Sequence, residues 1–146
     1  MYNPKTILTL VLTLLISVSC NLLTSPDEEL FIYKVTKIGD LTIEEFLQRE
    51  TTFTKIYPSK FFFLKREAPY EGNVLFEPFG LKQMLSTCEN CNSFSLDIKD
   101  EHVGWELIQI INPAFNEGEM YGMFVVTSPS IDGGITELFE ATLIEN

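Results

Sequence analysis

The stretch Ser93-Phe94-Ser95-Leu96-Asp97-Ile98-Lys99 (SFSLDIK, residues 93–99) decides the fold class. Phe94, Leu96 and Ile98 alternate with Ser93, Ser95, Asp97 and Lys99. An extended chain therefore puts the apolar side chains on one face and the polar ones on the other. A strand with one dry and one wet face belongs to an antiparallel sheet. Beyond it, Trp105 to Ile111 is more uniformly apolar and reads as a more central strand, broken by Asn112-Pro113. Met120 to Thr127 reads as the next strand, and SPSIDGG (128–134) is a cluster of turn residues. Residues 135–144 carry two periods at once. Ile135, Leu138, Phe139, Thr142 and Leu143 recur at helical spacing, whereas Phe139, Ala141 and Leu143 suit a strand. The Gly-rich turn before them favours a hairpin return, so this piece reads as a final strand with a helix as the alternative.

In the other direction, Leu81 to Leu85 reads as a brief helix with Leu81, Met84 and Leu85 inward, and Asn73 to Phe76 as a short strand. REAPYEG (66–72) is a loop. Thr51 to Tyr57 and Lys60 to Lys65 suggest two strands joined at a Pro58-Ser59 turn. Within the second, Phe61, Phe62 and Phe63 must point alternately to opposite faces, so at least one leaves the main core face. A strand covered on both sides accounts for this, with an aromatic binding patch as the alternative. Leu30 to Ile38 (LFIYKVTKI) is rich in aromatic and β-branched residues and forms the first strand, ended by Gly39-Asp40.

Between these strands lies the clearest local signal. Thr42 and Glu45 have capping-box spacing, and Leu41 and Phe46 occupy the two staple positions around it. With Ile43, Phe46 and Leu47 on one face, residues 43–50 predict a short amphipathic helix. Together the elements predict an α+β fold: a mostly antiparallel β-sheet with one short capped helix packed on it, in a single small domain spanning residues 30–146.

The charge is lopsided. All 21 acids lie after residue 20, and with Lys5 set aside nine bases remain, giving residues 20–146 a net charge near −12. From Asp100 to Asn146 there are nine acids and no Lys or Arg. This balance argues against nucleic-acid binding, which draws much of its affinity from phosphate neutralisation. It equally leaves any membrane attachment to a lipid rather than to a polybasic patch. Neither Asp97/Asp100/Glu101 nor Asn116/Glu117/Glu119 has the alternation of a calcium loop, so the acids read as solubilising charge.

The first 20 residues carry an address. Residues 6–19 (TILTLVLTLLISVS) are uncharged and follow Lys5, the pattern of a secretory signal peptide over residues 1–19. Cys20 stands directly after them. In this it resembles the acceptor of bacterial lipoprotein signals, whose thiol receives a diacylglycerol. The resemblance covers only these 20 positions, and Ser17 departs from it where an apolar residue is usual. It implies export, lipidation at Cys20 and attachment to a membrane of the bacterial cell envelope, with plain secretion as the alternative. Residues 20–29 (CNLLTSPDEE) then form the lipidated cysteine and an acidic tether.

Cysteine arithmetic agrees. The chain has Cys20, Cys88 and Cys91, and modifying Cys20 leaves a pair. Cys88-Glu89-Asn90-Cys91 reads as a structural disulfide, because exported proteins meet oxidising conditions. Thioredoxin-like chemistry is disfavoured, since such a motif puts its first cysteine at a helix N-terminus and here the expected helix precedes it. Zinc would need Cys88, Cys91, His102 and a carboxylate together. His102, the only histidine, lies in a polar turn, and Trp105 reads as a core or sheet-edge aromatic rather than a ligand-stacking one. The sequence holds no nucleophile elbow, zinc-protease motif or phosphate-binding glycine loop, and so names no catalytic residue, metal or cofactor. The expected function is a non-enzymatic binding or interaction module held at a membrane, with a protein or a small apolar ligand between sheet and helix as its partner. The alternatives are thiol–disulfide exchange at Cys88/Cys91 and a secreted inhibitor or toxin-like protein.

Overall fold

A computed structural model describes residues 29–49, 56–98, 107–128 and 131–146. The expected signal peptide (1–19), Cys20, nearly all of the expected tether, residues 51–55, His102 and Trp105 lie outside the described residues. Among the described residues there are nine strands and one helix: β1 (Phe31–Ile38), β2 (Leu41–Thr42), α1 (Ile43–Gln48), β3 (Tyr57–Lys65), β4 (Glu71–Glu77), β5 (Gly80–Ser86), β6 (Ser93–Leu96), β7 (Leu107–Asn116), β8 (Glu119–Ser128) and β9 (Ile131–Glu145).

Every pairing is antiparallel and, apart from closure, joins successive strands of the sheet. Closure comes from β9, which pairs with β8 on one side and with β1 on the other, from Ile38↔Phe139 to Ile32↔Glu145. Eight strands thus form an up-and-down barrel, and the two residues of β2 lie beside the end of β1 that β3 leaves free. Closing the sheet pairs edges that would otherwise template unwanted strand addition. The antiparallel sheet and the short capped helix packed on it are as expected; what changes is that the sheet closes into a barrel. The domain is single and small as expected, but it is mostly β.

The alternation read from residues 93–99 holds around the ring. Tyr33 and Val35 of β1, Phe61 and Phe63 of β3, Val74 and Phe76 of β4, Phe94 of β6, Ile108 and Ile110 of β7, Phe124 of β8 and Phe139 of β9 are all buried. Their rings interlock: Phe61 stacks on Phe139 at 5.1 Å between centroids, and Phe63 meets Tyr33, Phe94 and Phe115 edge-on at 6.1, 6.1 and 5.3 Å. An eight-stranded barrel is just wide enough for side chains to fill its interior. Of the phenylalanine triplet, Phe61 and Phe63 are core and Phe62 lies half-buried on the outer wall.

Three local expectations change. Leu81–Leu85 is strand β5, not a helix, so Met84 points inward while Leu81 and Leu85 are 60% and 42% exposed. Pro58-Ser59 and Asn112-Pro113 do not end strands. Each sits at a register shift inside one, between Pro58 and Lys60 in β3 and between Ile111 and Ala114 in β7. A bulge accommodates the proline that regular pairing rejects. At the second, Asn112 takes a positive φ of 50°, its N–H donates to the Asn92 carbonyl at 2.8 Å, and Pro113 turns into the barrel. The C-terminal piece is a strand, its helical spacing notwithstanding.

The helix has six residues and no fully buried side chain. So short a helix is marginal alone. Its start is held by the expected box: the Thr42 N–H donates to Glu45 Oε2 at 2.9 Å, and the Glu45 N–H donates to Thr42 Oγ1 at 3.3 Å. Ile43 and Phe46 pack against the core, Phe46 edge-on to Tyr57 at 5.4 Å.

Candidate functional site

Strand directions give the barrel two distinct ends. The entry to β1 at Phe31, the loop after β3, the turn from β5 to β6 and the exit of β9 share one end. The Gly39-Asp40 turn and α1 lie at the other. The tether expected from Cys20 therefore reaches the end opposite the helix.

At the tether end, Arg66 covers the aromatic core. Its guanidinium lies 3.5 Å from the Phe31 ring centroid and 5.8 Å from that of Phe115, and its Nη1–H donates to Tyr33 Oη at 2.8 Å. Tyr70 completes this side. Its N–H donates to Ser86 Oγ at 3.0 Å and its hydroxyl donates to Asn92 Oδ1, while burial pushes its phenol above the ordinary range. At the far end Phe76 meets Phe79 and Phe124, and Tyr57 lies beneath Phe46. Burial first, then the Glu77 carboxylate, raises the Tyr57 phenol. The barrel interior is thus filled by the chain's own side chains.

Cys88 and Cys91 occupy the turn from β5 to β6, with sulfurs at disulfide distance (1.90 Å) and Cα atoms 5.1 Å apart. The turn joins two strands, so no helix dipole bears on either sulfur. The zinc combination weighed from sequence needs His102, which lies outside the described residues. Among the described residues, no three His, Cys, Asp or Glu side chains are grouped to hold a metal.

The outer wall carries a feature that sequence reading missed. Ile111 of β7, Met123 of β8 and Leu138 of β9 are register partners, so they form one apolar row across three strands. Leu138 is 65% exposed, and the 42%-exposed Tyr121 stands one outward step away on β8. The row floors an open groove of about 760 Å³, bounded above by Gly39-Asp40 and at its side by Asn112. Asp40 and Glu137 line it, and no Lys or Arg does. Two bases stand nearby: Arg49 lines an adjoining hollow with Asp40 and Glu137, and Lys37 is held by Glu140 at 2.9 Å, a hydrogen bond and charge that raise its ammonium pKa. That hollow, of about 730 Å³ between α1 and the same turn, shares Gly39, Asp40 and Glu137 with the groove. The row is invisible in sequence because its members are joined by register, not by spacing. Reading 135–144 as a strand with Phe139 inward is the signal that puts Leu138 outward.

No protein-family model, curated protein or solved structure matches the chain.

Proposed function

We propose that this protein is an exported lipoprotein, held at a membrane of the bacterial cell envelope through a lipid on Cys20, and that its barrel is a non-enzymatic binding or interaction module. The observation that carries the reading is the join between two features. An uncharged run ends at Cys20, and about ten residues later the chain enters a barrel whose interior is packed with its own aromatic rings. A filled eight-stranded barrel offers its outer wall and loops to partners, where a hollow one would offer a cavity. Ten residues, 20–29, can span at most about 33 Å between a lipid on Cys20 and the barrel. Intact mass of the protein recovered from native membranes tests the anchor. A mass raised by a diacylglycerol and an acyl chain, with no free thiol at Cys20, is the expected result. An unmodified Cys20 overturns it and leaves a secreted protein.

The alternative activity, thiol–disulfide exchange, draws on the disulfide distance between Cys88 and Cys91 and the exposure of Cys88. A reduction potential separates the two readings. A value below about −300 mV marks a structural bond, and one near those of exchange enzymes marks a catalytic pair.

A further inference from the structure

We infer that the groove over Ile111, Met123 and Leu138 is a docking site for a protein segment whose apolar side chains are flanked by Lys or Arg, an inference that rests on the binding-module reading above. Isolated exposed apolar residues on a barrel wall mean little, but a contiguous patch does. Here register forces contiguity: Ile111↔Met123↔Leu138 lie edge to edge, and Tyr121 extends them along β8. Two irregularities frame the patch, the Asn112 bulge with its positive φ and the Gly39-Asp40 turn, whose Gly39 N–H is tied to the Leu138 carbonyl at 2.8 Å.

Charge selects the occupant. Asp40 and Glu137 stand on the rim, and Glu140, one outward step from Leu138 along β9, is already matched by Lys37. The chain has no Lys or Arg from residue 100 to 146, so the only charged side chains on β7, β8 and β9 are acids. Two copies meeting face to face through this patch would bring their acidic rims together, which opposes self-association. An anionic lipid or nucleic-acid surface meets the same repulsion. A segment with an apolar centre and a basic margin buries Leu138 and meets the acidic rim of Asp40 and Glu137 at once. Position agrees. The patch lies toward the end of the barrel opposite Phe31, so a tether at that residue leaves it facing away from the anchoring membrane.

The test uses two synthetic peptides, one alternating leucine with lysine and one alternating leucine with glutamate, titrated into the mature chain carrying ¹³C-methyl methionine. Met123 reports on the patch, while Met84 and Met120, 4% and 0% exposed, report on the barrel interior. The lysine peptide is expected to move the Met123 methyl signal and leave the other two in place, with binding weakened by added salt. Leu138→Lys is expected to weaken binding tenfold or more. Leu81→Lys changes the net charge equally at a 60%-exposed leucine on another wall and is expected to leave binding unchanged. A still Met123, an equal response to the glutamate peptide, or equal losses in the two variants overturns the site. Binding that leaves Met123 still and is lost only in Leu81→Lys also overturns it, while keeping the binding-module reading on another wall.

Discussion

Phe139 lies across Gly122: a Cβ on that glycine would stand 2.7 Å from Phe139 Cζ and 2.9 Å from Cε1. The two are register partners on β8 and β9, and both face the interior. The missing side chain on one strand makes room for the ring of the next, which then stacks on Phe61. Gly122→Ala must displace a ring already in contact on its other face. Overpacking of this kind costs about 1–3 kcal/mol. Phe139→Ala, which opens a cavity instead, is expected to cost about 3–5 kcal/mol. Urea unfolding of both variants checks the order.

Gly72 is the sharper case. A Cβ there would lie 1.9 Å from the carbonyl oxygen of Phe62, a backbone atom with nowhere to go, and the residue has a φ of +144°. Gly80 has a positive φ of 81° but nothing within 4 Å of its would-be Cβ. Gly72→Ala is therefore expected to lower the melting temperature more than Gly80→Ala, which pays only for conformation. Equal losses from the two would mean that strain, not the close approach to β3, governs these positions.

How much of this was legible follows the range of each interaction. The Thr42–Glu45 box is written in four residues and was read correctly. So was the inward set Phe94 and Leu96, because one wet face makes alternation visible. Leu81, Met84 and Leu85 misled for a definite reason. Their i, i+3, i+4 spacing is that of a helix face, but Leu81 and Leu85 lie on the outside of β5. Asn112-Pro113 looked like a strand end because proline cannot donate to a ladder, and only the bulge shows how β7 continues. Closure was beyond reach. Ile38↔Phe139 joins residues a hundred positions apart, and nothing local in either strand specifies the other. The docking patch failed to show for the same reason, being a row across strands.

The capping box makes the helix respond to acid. Hydrogen bonds to Glu45, from the Thr42 backbone first and its side chain second, hold the carboxyl below its usual range. A carboxyl whose folded pKa lies below its unfolded one adds stability above the unfolded value, near pH 4, and loses it as pH falls through the lower folded value. Hydrogen exchange at the Arg49 amide, which donates to the Glu45 carbonyl at 3.1 Å, is expected to show growing protection as pH rises through that window, after correction for intrinsic rates. Thr42→Ala should abolish that pH dependence and cost about 1 kcal/mol of helix stability.

Removing the Cys88–Cys91 pair should be felt modestly. The closed loop spans only three steps along the chain, so the chain-entropy estimate for the unfolded state gives about 2 kcal/mol. The double variant Cys88→Ser/Cys91→Ser is expected to keep the barrel, as read by near-ultraviolet circular dichroism, with a lowered melting temperature. Loss of the native spectrum at room temperature would show that the turn from β5 to β6 depends on the bond to a degree that loop entropy does not explain.

Arg66 and Tyr33 supply the last test, because they separate a polar contact from an aromatic one. Tyr33 is fully buried, and Arg66 donates to its hydroxyl at 2.8 Å while its guanidinium carbon sits 3.5 Å over the Phe31 ring. Tyr33→Phe removes the acceptor and leaves the cation over the ring, a loss of about 1 kcal/mol. Arg66→Ala removes both contacts and strands the buried hydroxyl, so about 2–3 kcal/mol is expected. Arg66→Lys keeps the charge but loses the planar group that lies over Phe31 and donates to Tyr33 at once, and should fall nearer to alanine than to wild type. A double-mutant cycle between Tyr33→Phe and Arg66→Ala then isolates the hydrogen bond. Coupling near 1 kcal/mol assigns the remainder of the Arg66 effect to its stacking on Phe31, and zero coupling would mean that the hydroxyl takes nothing from the guanidinium.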